Sequence, residues 1–160
     1  QILVDGLFQA DPHPGNILVL PGGKVALLDF GLTKELPDPL RLGFARLVMA
    51  ASAGDAAGIV TAFGELGVRT RSDGAGEVLA LARLFFDQRD IDRTATNHTR
   101  ARALAQNPVE AIPGDLVLLG RVVGLLRGVT SSLGAPVTPM QMLRPYAEAA
   151  LARPAAVGNS

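Results

Sequence analysis

The pattern of hydrophobic and polar residues changes character near Pro37. Before that point, two short apolar runs (I-L-V-L at 17–20 and K-V-A-L-L at 24–28) lie on either side of Pro21-Gly22-Gly23. A Pro-Gly-Gly sequence is a strong turn signal, and short, partly β-branched runs around it predict a β-hairpin. This hairpin contains the only strands that the pattern predicts.

The residues before the hairpin carry different signals. Residues 1–8 (Q-I-L-V-D-G-L-F) are typical of the end of a helix. Residues 9–16 (Q-A-D-P-H-P-G-N) contain two prolines and a glycine, which predict an extended, turning loop instead of a regular element.

After Pro37 the pattern is helical. Asp38 followed by Pro39 predicts an N-cap and the first turn of a helix that extends to about Ser52. Asp55 predicts the cap of a second helix, which ends at Gly67. A third helix is predicted from about 73 to 87, with core positions at Leu79, Leu81, Leu84, Phe85 and Phe86.

Two more helices complete the predicted fold. One follows Pro113-Gly114 and extends to about Leu133, and the last begins at Thr138-Pro139-Met140-Gln141, a capping box. Residues 88–111 are polar and have no assignment. The fold class is therefore α+β and mainly helical, in one domain over residues 1–153, with residues 154–160 as a tail.

Composition narrows the range of functions. The chain has 160 residues, of which 48% are hydrophobic and 19% charged, as is typical of a globular domain. Its formal net charge of zero argues against a nucleic-acid partner. It has no cysteine, hence no disulfide or thiolate chemistry, and no apolar run long enough to span a bilayer. We expect a cytoplasmic location.

The predicted hairpin brings oxygen-bearing side chains together. In an antiparallel pair, the start of the first strand lies beside the end of the second. Asn16 comes just before the first strand and Asp29 just after the second, so we expect them side by side. Asp11 lies five residues before Asn16 on the same loop. Carboxylate and amide oxygens are ligands that Mg²⁺ prefers.

The spacing of these residues is that of kinase active sites. Asp11 to Asn16 is D-x-x-x-x-N, the spacing of the kinase catalytic loop, and Asp29-Phe30-Gly31 is D-F-G, the metal-binding segment. In this scheme Asn16 and Asp29 hold Mg²⁺ on ATP, and Asp11 orients or deprotonates the attacking group. Each motif alone is also explained by turn capping, but their order at the two ends of one hairpin favours the catalytic interpretation.

The segments G-L-F-Q-A-D-P-H-P-G-N-I-L-V-L and K-V-A-L-L-D-F-G-L-T resemble the UbiB/AarF-domain family of atypical kinases. The stretch from Asp115 to Val129 resembles a recurring helix of that family. The resemblance implies the C-terminal lobe of a protein-kinase-like fold, with residues 9–33 as catalytic loop and D-F-G segment and 38–153 as the helical remainder. It also implies Asp11 as catalytic residue, and Asn16, Asp29, Phe30 and Gly31 in cofactor binding.

The family is associated with activities that the resemblance leads us to expect of this chain. These are ATP hydrolysis or phosphoryl transfer and isoprenoid-quinone lipid biosynthesis, with association at a membrane surface. His13 is an accessory candidate that either holds the loop or takes part in chemistry.

The chain departs from ordinary protein kinases. Gln9 and Ala10 replace the histidine and arginine of H-R-D, and no A-P-E follows the D-F-G. Neither Lys24 nor Lys34 lies on a strand before Asp11, where a kinase carries its phosphate-binding lysine. We therefore expect an N-terminal lobe to be missing, apolar surface to be exposed near the cleft, and the chain alone to turn over little ATP.

Two other functions fit the same residues. A small-molecule phosphotransferase of the aminoglycoside or choline kinase kind also uses a D-x-x-x-x-N loop, and a pseudokinase scaffold would bind a partner without catalysis. On the 115–129 helix, Gly120, Gly124 and Gly128 recur every four residues, which predicts close packing against another helix, and Arg121 is expected to pair with an acidic core residue.

Overall fold

Three short antiparallel strand pairs and five helices make up the part of the chain that the computed structural model describes, which is residues 1–70, 75–86, 109–134 and 138–152. The strands are β1 (Leu7–Gln9), β2 (Ile17–Leu20), β3 (Lys24–Leu27), β4 (Thr33–Glu35), β5 (Arg69–Thr70) and β6 (Val109–Ala111). The helices are α1 (Asp38–Ala53), α2 (Ala56–Glu65), α3 (Ala75–Phe86), α4 (Gly114–Ser132) and α5 (Pro139–Ala152). The fold is α+β and mainly helical, as predicted.

The predicted hairpin is present. Strands β2 and β3 pair antiparallel, with Ile17 opposite Leu27 and Leu20 opposite Lys24. Gly22 and Gly23 both have positive φ, 80° and 74°, a conformation that side chains with a Cβ rarely adopt. Two consecutive positive-φ residues suit the tight turns that match the twist of a hairpin, so the Gly-Gly pair explains why the chain reverses here.

A second strand pair was not predicted from the sequence. Strand β1 pairs with β4, so that Gln9 lies opposite Thr33, and the Ala10 amide extends the ladder by donating to the Leu32 carbonyl at 2.7 Å. Residues 1–6 form a turn, in which the amides of Asp5 and Gly6 donate hydrogen bonds to the Gln1 carbonyl. Strand β1 follows directly, although the end of a helix was expected here. Three-residue strands lack the length to show a period-2 pattern, so the sequence does not reveal them. The same holds for the third pair, β5 with β6.

The N-terminus of α1 differs from the prediction. Pro37 occupies the cap position, and Asp38 lies in the first turn, where its carboxylate binds the Arg41 guanidinium at 2.8 Å. An acidic residue in the first turn still complements the positive end of the helix dipole. Asp55 does cap α2, as predicted, because its side chain accepts from the Gly58 amide at 2.9 Å.

The helices build the core. Helix α1 packs chiefly against α5 and α2. Phe44 of α1 is fully buried and stacks on Phe86 of α3 with ring centroids 6.5 Å apart. Of the predicted α3 core positions, Leu81 and Phe86 are buried and Leu79 is partly buried, whereas the side chains of Leu84 and Phe85 lie outside the described part. Leu116 and Leu119 of α4 are fully buried, which ties α4 to the same core.

The predicted close packing of the α4 glycines is wrong at two of the three positions. A Cβ placed on Gly124 or Gly128 would meet no atom within 4 Å in the described part of the chain, and both residues are exposed. Most of the unassigned segment 88–111 and the predicted tail 154–160 lie outside the described residues. Within the described residues, no helix has the length and apolar character needed to cross a membrane.

Candidate active site

The backbone around Asp11 is held by its buried neighbours. Ala10 and Pro12 are both buried, and Ala10 is bound to the Leu32 carbonyl. Asp11 lies between them, two residues after the end of β1, with 37% of its side chain exposed. The loop therefore presents this carboxylate at the surface from a fixed backbone position.

His13 holds the loop together. Its Nδ1 atom accepts a hydrogen bond of 3.1 Å from the Gly15 amide, at the start of a short 3-10 turn over Pro14–Asn16. Its backbone carbonyl also accepts from the Asn16 amide at 2.8 Å. The ring is exposed, so the loop-holding role is the one that the observed contacts support.

Asn16 connects the catalytic loop to the hairpin. Its Nδ2 group donates to the Asp11 backbone carbonyl at 3.4 Å, and its own carbonyl accepts from the Leu28 amide at 3.0 Å. The second bond continues the β2–β3 pairing by one residue, so Asn16 lies opposite Leu28 and Asp29 is the next residue along the chain. This register brings the backbones of the two hairpin ends together, and a shared site of the Asn16 and Asp29 side chains stays a prediction.

Asp29 and the two residues after it form a compact turn. The Asp29 Oδ1 atom accepts from the Gly31 amide at 2.7 Å. A Cβ on Gly31 would lie 3.1 Å from that same oxygen, which is a tight contact. The Phe30 side chain is 63% exposed, and its carbonyl accepts from the Thr33 hydroxyl at 2.8 Å. The carboxylate is therefore oriented by the backbone of its own motif.

Gln9 is a site residue that the sequence did not single out. Its side chain is only 5% exposed, and its Nε2 group donates to the Asp29 backbone carbonyl at 2.9 Å. Its Oε1 atom is buried with no hydrogen-bond partner in the described part of the chain. The sequence offered one signal for this role, a polar residue between the apolar Phe8 and Ala10. A glutamine buried among such neighbours needs a hydrogen-bond partner.

Arg121 also reaches the site. Its guanidinium lies 3.0 Å from Asp11 Oδ1, although the two residues are 110 positions apart. The acidic partner expected for Arg121 is therefore the predicted catalytic residue, at the surface and not in the core. Six residues earlier on α4, Asp115 binds the Lys34 ammonium at 2.9 Å.

The oxygen atoms of Asn16 and Asp29 suit a hard divalent cation whose remaining ligands come from a nucleotide. Within the described residues no group of three or more acidic, histidine or cysteine side chains converges, so the protein would supply few ligands. In the contacts among the described residues, Asn16 uses its Nδ2 group on the loop and not its amide oxygen, and Asp29 uses one carboxylate oxygen, on Gly31. Mg²⁺ is typically held by one or two carboxylates with phosphates and waters, which matches this set.

The hairpin exposes apolar surface beside these residues. The large apolar side chains between 18 and 32 that are at least 39% exposed are Leu18, Val19, Leu20, Val25, Leu28, Phe30 and Leu32. One hairpin face, with Val19 opposite Val25, lines a cavity of about 560 Å³ that the N-terminal turn, α4 and α5 also border. Gln9 lies in the wall of this cavity as well.

A catalytic-loop aspartate, an asparagine five residues later and a D-F-G at the far end of a hairpin are the arrangement of a kinase-like catalytic segment. Residues 1–63 match the family model of the ABC1 atypical kinase-like domain. Over these residues the chain is similar to this family of atypical kinase-like proteins.

Curated relatives agree with this assignment. The chain is 30% identical over 140 residues to the probable serine/threonine-protein kinase abkB of Dictyostelium discoideum, covering 84% of this chain and 21% of that protein. It is 27% identical over 164 residues to AarF domain-containing protein kinase 1 of Xenopus tropicalis, covering 89% and 30%. The protein ACTIVITY OF BC1 COMPLEX KINASE 3, chloroplastic, of Arabidopsis thaliana is 56% identical over 41 residues, covering 26% and 6%.

The chain thus spans less than a third of the length of each of these relatives. No solved structure matches it significantly.

Proposed function

We propose that this chain is the C-terminal lobe of an atypical kinase that transfers or hydrolyses the γ-phosphoryl group of ATP in the presence of Mg²⁺. The lobe comprises residues 1–153, with 154–160 as a tail. Asp11 acts on the attacking hydroxyl or water, and Asn16 and Asp29 hold the cation. Phe30 and Gly31 shape the cofactor-binding segment around Asp29.

The observation that carries this proposal is the hairpin register. It puts Asn16 opposite Leu28, and Asp29 is the next residue, so both proposed cation ligands lie at the same end of one hairpin. The Asn16 side chain is bound in turn to the Asp11 carbonyl at 3.4 Å, which links the proposed base to the same element. Phosphoryl transfer depends mainly on positioning and on charge stabilisation, and a rigid shared scaffold serves both.

Each side chain has a definite task in this scheme. The Asp11 carboxylate accepts the proton of the attacking hydroxyl or orients it towards the phosphoryl group. Mg²⁺, when bound, neutralises charge on the phosphate oxygens. The hydrogen bond from the Gly31 amide to Asp29 Oδ1 orients the carboxylate, so that its other oxygen is available to the cation. His13 keeps the loop in shape through the Gly15 amide and thereby acts as an accessory residue.

The physiological role proposed for this activity is in isoprenoid-quinone lipid metabolism, at or near a membrane surface. The support is the resemblance of the Asp11–Asn16 and D-F-G segments to the UbiB/AarF-domain family. The absence of H-R-D and A-P-E sequences argues against an ordinary protein substrate, because those elements serve activation-loop control in protein kinases.

The test is nucleotide binding by the full-length gene product, measured by calorimetry with a non-hydrolysable ATP analogue at varied Mg²⁺. We expect Mg²⁺-dependent binding that Asp29→Asn weakens by about tenfold or more, the equivalent of roughly 1.4 kcal/mol. Asp5→Asn, a matched change at an exposed aspartate outside the site, should have no effect. Equal binding by Asp29→Asn and the unsubstituted protein would refute the proposed cation site.

Turnover measurements separate the alternatives. Phosphoryl transfer to an added aminoglycoside or choline would favour a small-molecule phosphotransferase, and nucleotide binding without any turnover would favour a pseudokinase scaffold. We expect the 160-residue chain by itself to show little ATP turnover. Robust turnover by this chain that is lost in Asp29→Ala would contradict that expectation.

A further inference from the structure

We propose that Arg121 is a positioning residue that orients the Asp11 carboxylate for phosphoryl transfer. The inference rests on the proposed function, because it assumes that Asp11 acts on the attacking group. It assigns a role to a residue of α4, which lies outside the matched family segment 1–63.

The geometry of the pair selects one carboxylate oxygen. The Arg121 guanidinium donates to Asp11 Oδ1 at 3.0 Å, within the range of a charge-assisted hydrogen bond. Within the described part of the chain this is the one hydrogen bond to that carboxylate. It leaves Oδ2 for the attacking hydroxyl or water.

Such an orienting contact is needed because the loop fixes only the backbone of Asp11. Ala10 and Pro12 are buried on either side, but the terminal torsion of an aspartate side chain is broad and weakly restrained. A guanidinium with a fixed set of donors restricts that torsion. Ala10, at the position where an H-R-D sequence has its arginine, is completely buried, whereas Arg121 is exposed. The cation beside Asp11 therefore comes from a distant helix.

Helix α4 is well placed to hold Arg121 still. Leu119 and Val122 on its inner face are buried in the core. Its first turn is tied to the catalytic segment by the Asp115–Lys34 ion pair at 2.9 Å, and Lys34 lies on β4, directly after the D-F-G turn. The helix thus contacts the segment 9–35 at two points, through pairs of opposite polarity. Two such contacts hold the helix in place, so that the Arg121 guanidinium stays beside the Asp11 carboxylate.

The test compares Arg121→Gln with Arg144→Gln in the full-length gene product, by steady-state ATP turnover and thermal unfolding. Arg144 is the matched control, since it is also 56% exposed and also forms a surface ion pair, with Glu148. We expect Arg121→Gln to lower kcat about tenfold while KM for ATP stays within about twofold, because orientation and not substrate binding is lost. The unfolding temperature should match that of the control, because exposed ion pairs contribute little to stability.

Two rescue experiments probe positioning specifically. Arg121→Lys should retain more of kcat than Arg121→Gln, because it keeps a cation but loses the planar donor set. Guanidinium ion at concentrations well below denaturing should restore part of the turnover of Arg121→Ala, since the site is open to solvent.

The remaining outcomes decide against the inference in distinguishable ways. Control-like kcat in Arg121→Gln, together with loss of turnover in Asp11→Asn, would overturn the role of Arg121 and leave the proposed function standing. A raised KM with unchanged kcat would make Arg121 a substrate-binding residue instead. Full turnover in Asp11→Asn would overturn the proposed function and this inference together.

Discussion

The Gln9 side-chain amide donates a hydrogen bond of 2.9 Å to the backbone carbonyl of Asp29 and thereby joins the strand before the catalytic loop to the D-F-G segment. The two residues are 20 positions apart, and the donor is almost completely buried. In place of the histidine of an H-R-D sequence, this chain has another hydrogen-bond donor, and it holds the D-F-G segment against the loop. The bond makes Gln9 part of the site, because it holds the backbone of Asp29 and leaves the Asp29 carboxylate untouched.

The first prediction concerns this bond. Gln9→Met should weaken Mg²⁺-dependent nucleotide binding about fivefold, because one hydrogen bond to the Asp29 backbone is worth about 1 kcal/mol. Stability should change by less than about 1 kcal/mol, since methionine also removes the buried Oε1 atom, which has no partner among the described residues. Calorimetric titration and urea unfolding measure the two effects.

Gln141→Met is the matched control, because Gln141 is exposed on α5. Gln9→His, which keeps a donor, should bind nucleotide better than Gln9→Met. If Gln9→Met bound as tightly as the unsubstituted protein, the tether would have no role in the site.

The second prediction concerns the space beside the Asp29 carboxylate. Gly31→Ala puts a methyl group 3.1 Å from Asp29 Oδ1, so the carboxylate must move by a few tenths of an ångström. We expect weaker Mg²⁺-dependent nucleotide binding, measured by titration of the cation at fixed nucleotide. Gly64→Ala is the control, because a Cβ there meets no atom of the described residues within 4 Å. Unchanged cation dependence in Gly31→Ala would mean that the observed carboxylate position is not the binding one.

The third prediction tests the packing of α4. Gly124→Ala should raise the free energy of unfolding by about 0.5–1 kcal/mol, because alanine favours the helix and the added methyl group faces open space. Gly43→Ala should instead lower it, since its Cβ would lie 3.0 Å from the buried Leu66 side chain. Urea unfolding of both variants measures the contrast. Destabilisation by Gly124→Ala would restore the close packing that the glycine spacing predicted.

The fourth prediction concerns the apolar face of the hairpin. Val19 and Val25 lie directly opposite each other and are 70% and 61% exposed. Exposed apolar patches promote association, so Val19→Thr/Val25→Thr should reduce self-association of the 160-residue chain, measured by analytical ultracentrifugation. Stability should change by no more than about 0.5 kcal/mol, since threonine is also β-branched and the sites are exposed.

Val117→Thr provides the comparison, because Val117 is an exposed valine on α4. A self-association constant that is the same in the double variant and in Val117→Thr would show that the hairpin face does not drive association.

Local signals explain why several elements were predictable. The Gly22-Gly23 turn needs two positive φ values, and the Asp55 cap satisfies amides a few residues away, so both are decided by neighbouring residues. The start of α1 was one position off: Pro37 is the cap residue, and the Asp38 carboxylate binds Arg41 instead of a backbone amide. The β1–β4 pair was missed because three-residue strands are defined by their partner and not by their own pattern.

For this protein the sequence alone determined the hairpin, the loop before it and the order of Asp11, Asn16 and Asp29, because turns, caps and strand alternation act over a few residues. Only the tertiary structure decided which side chains surround them. Gln9 reaches Asp29 across 20 positions, and Arg121 reaches Asp11 across 110. Such partners depend on how strands and helices pack, since a side chain of fixed length finds a partner only where the fold brings the two backbones together.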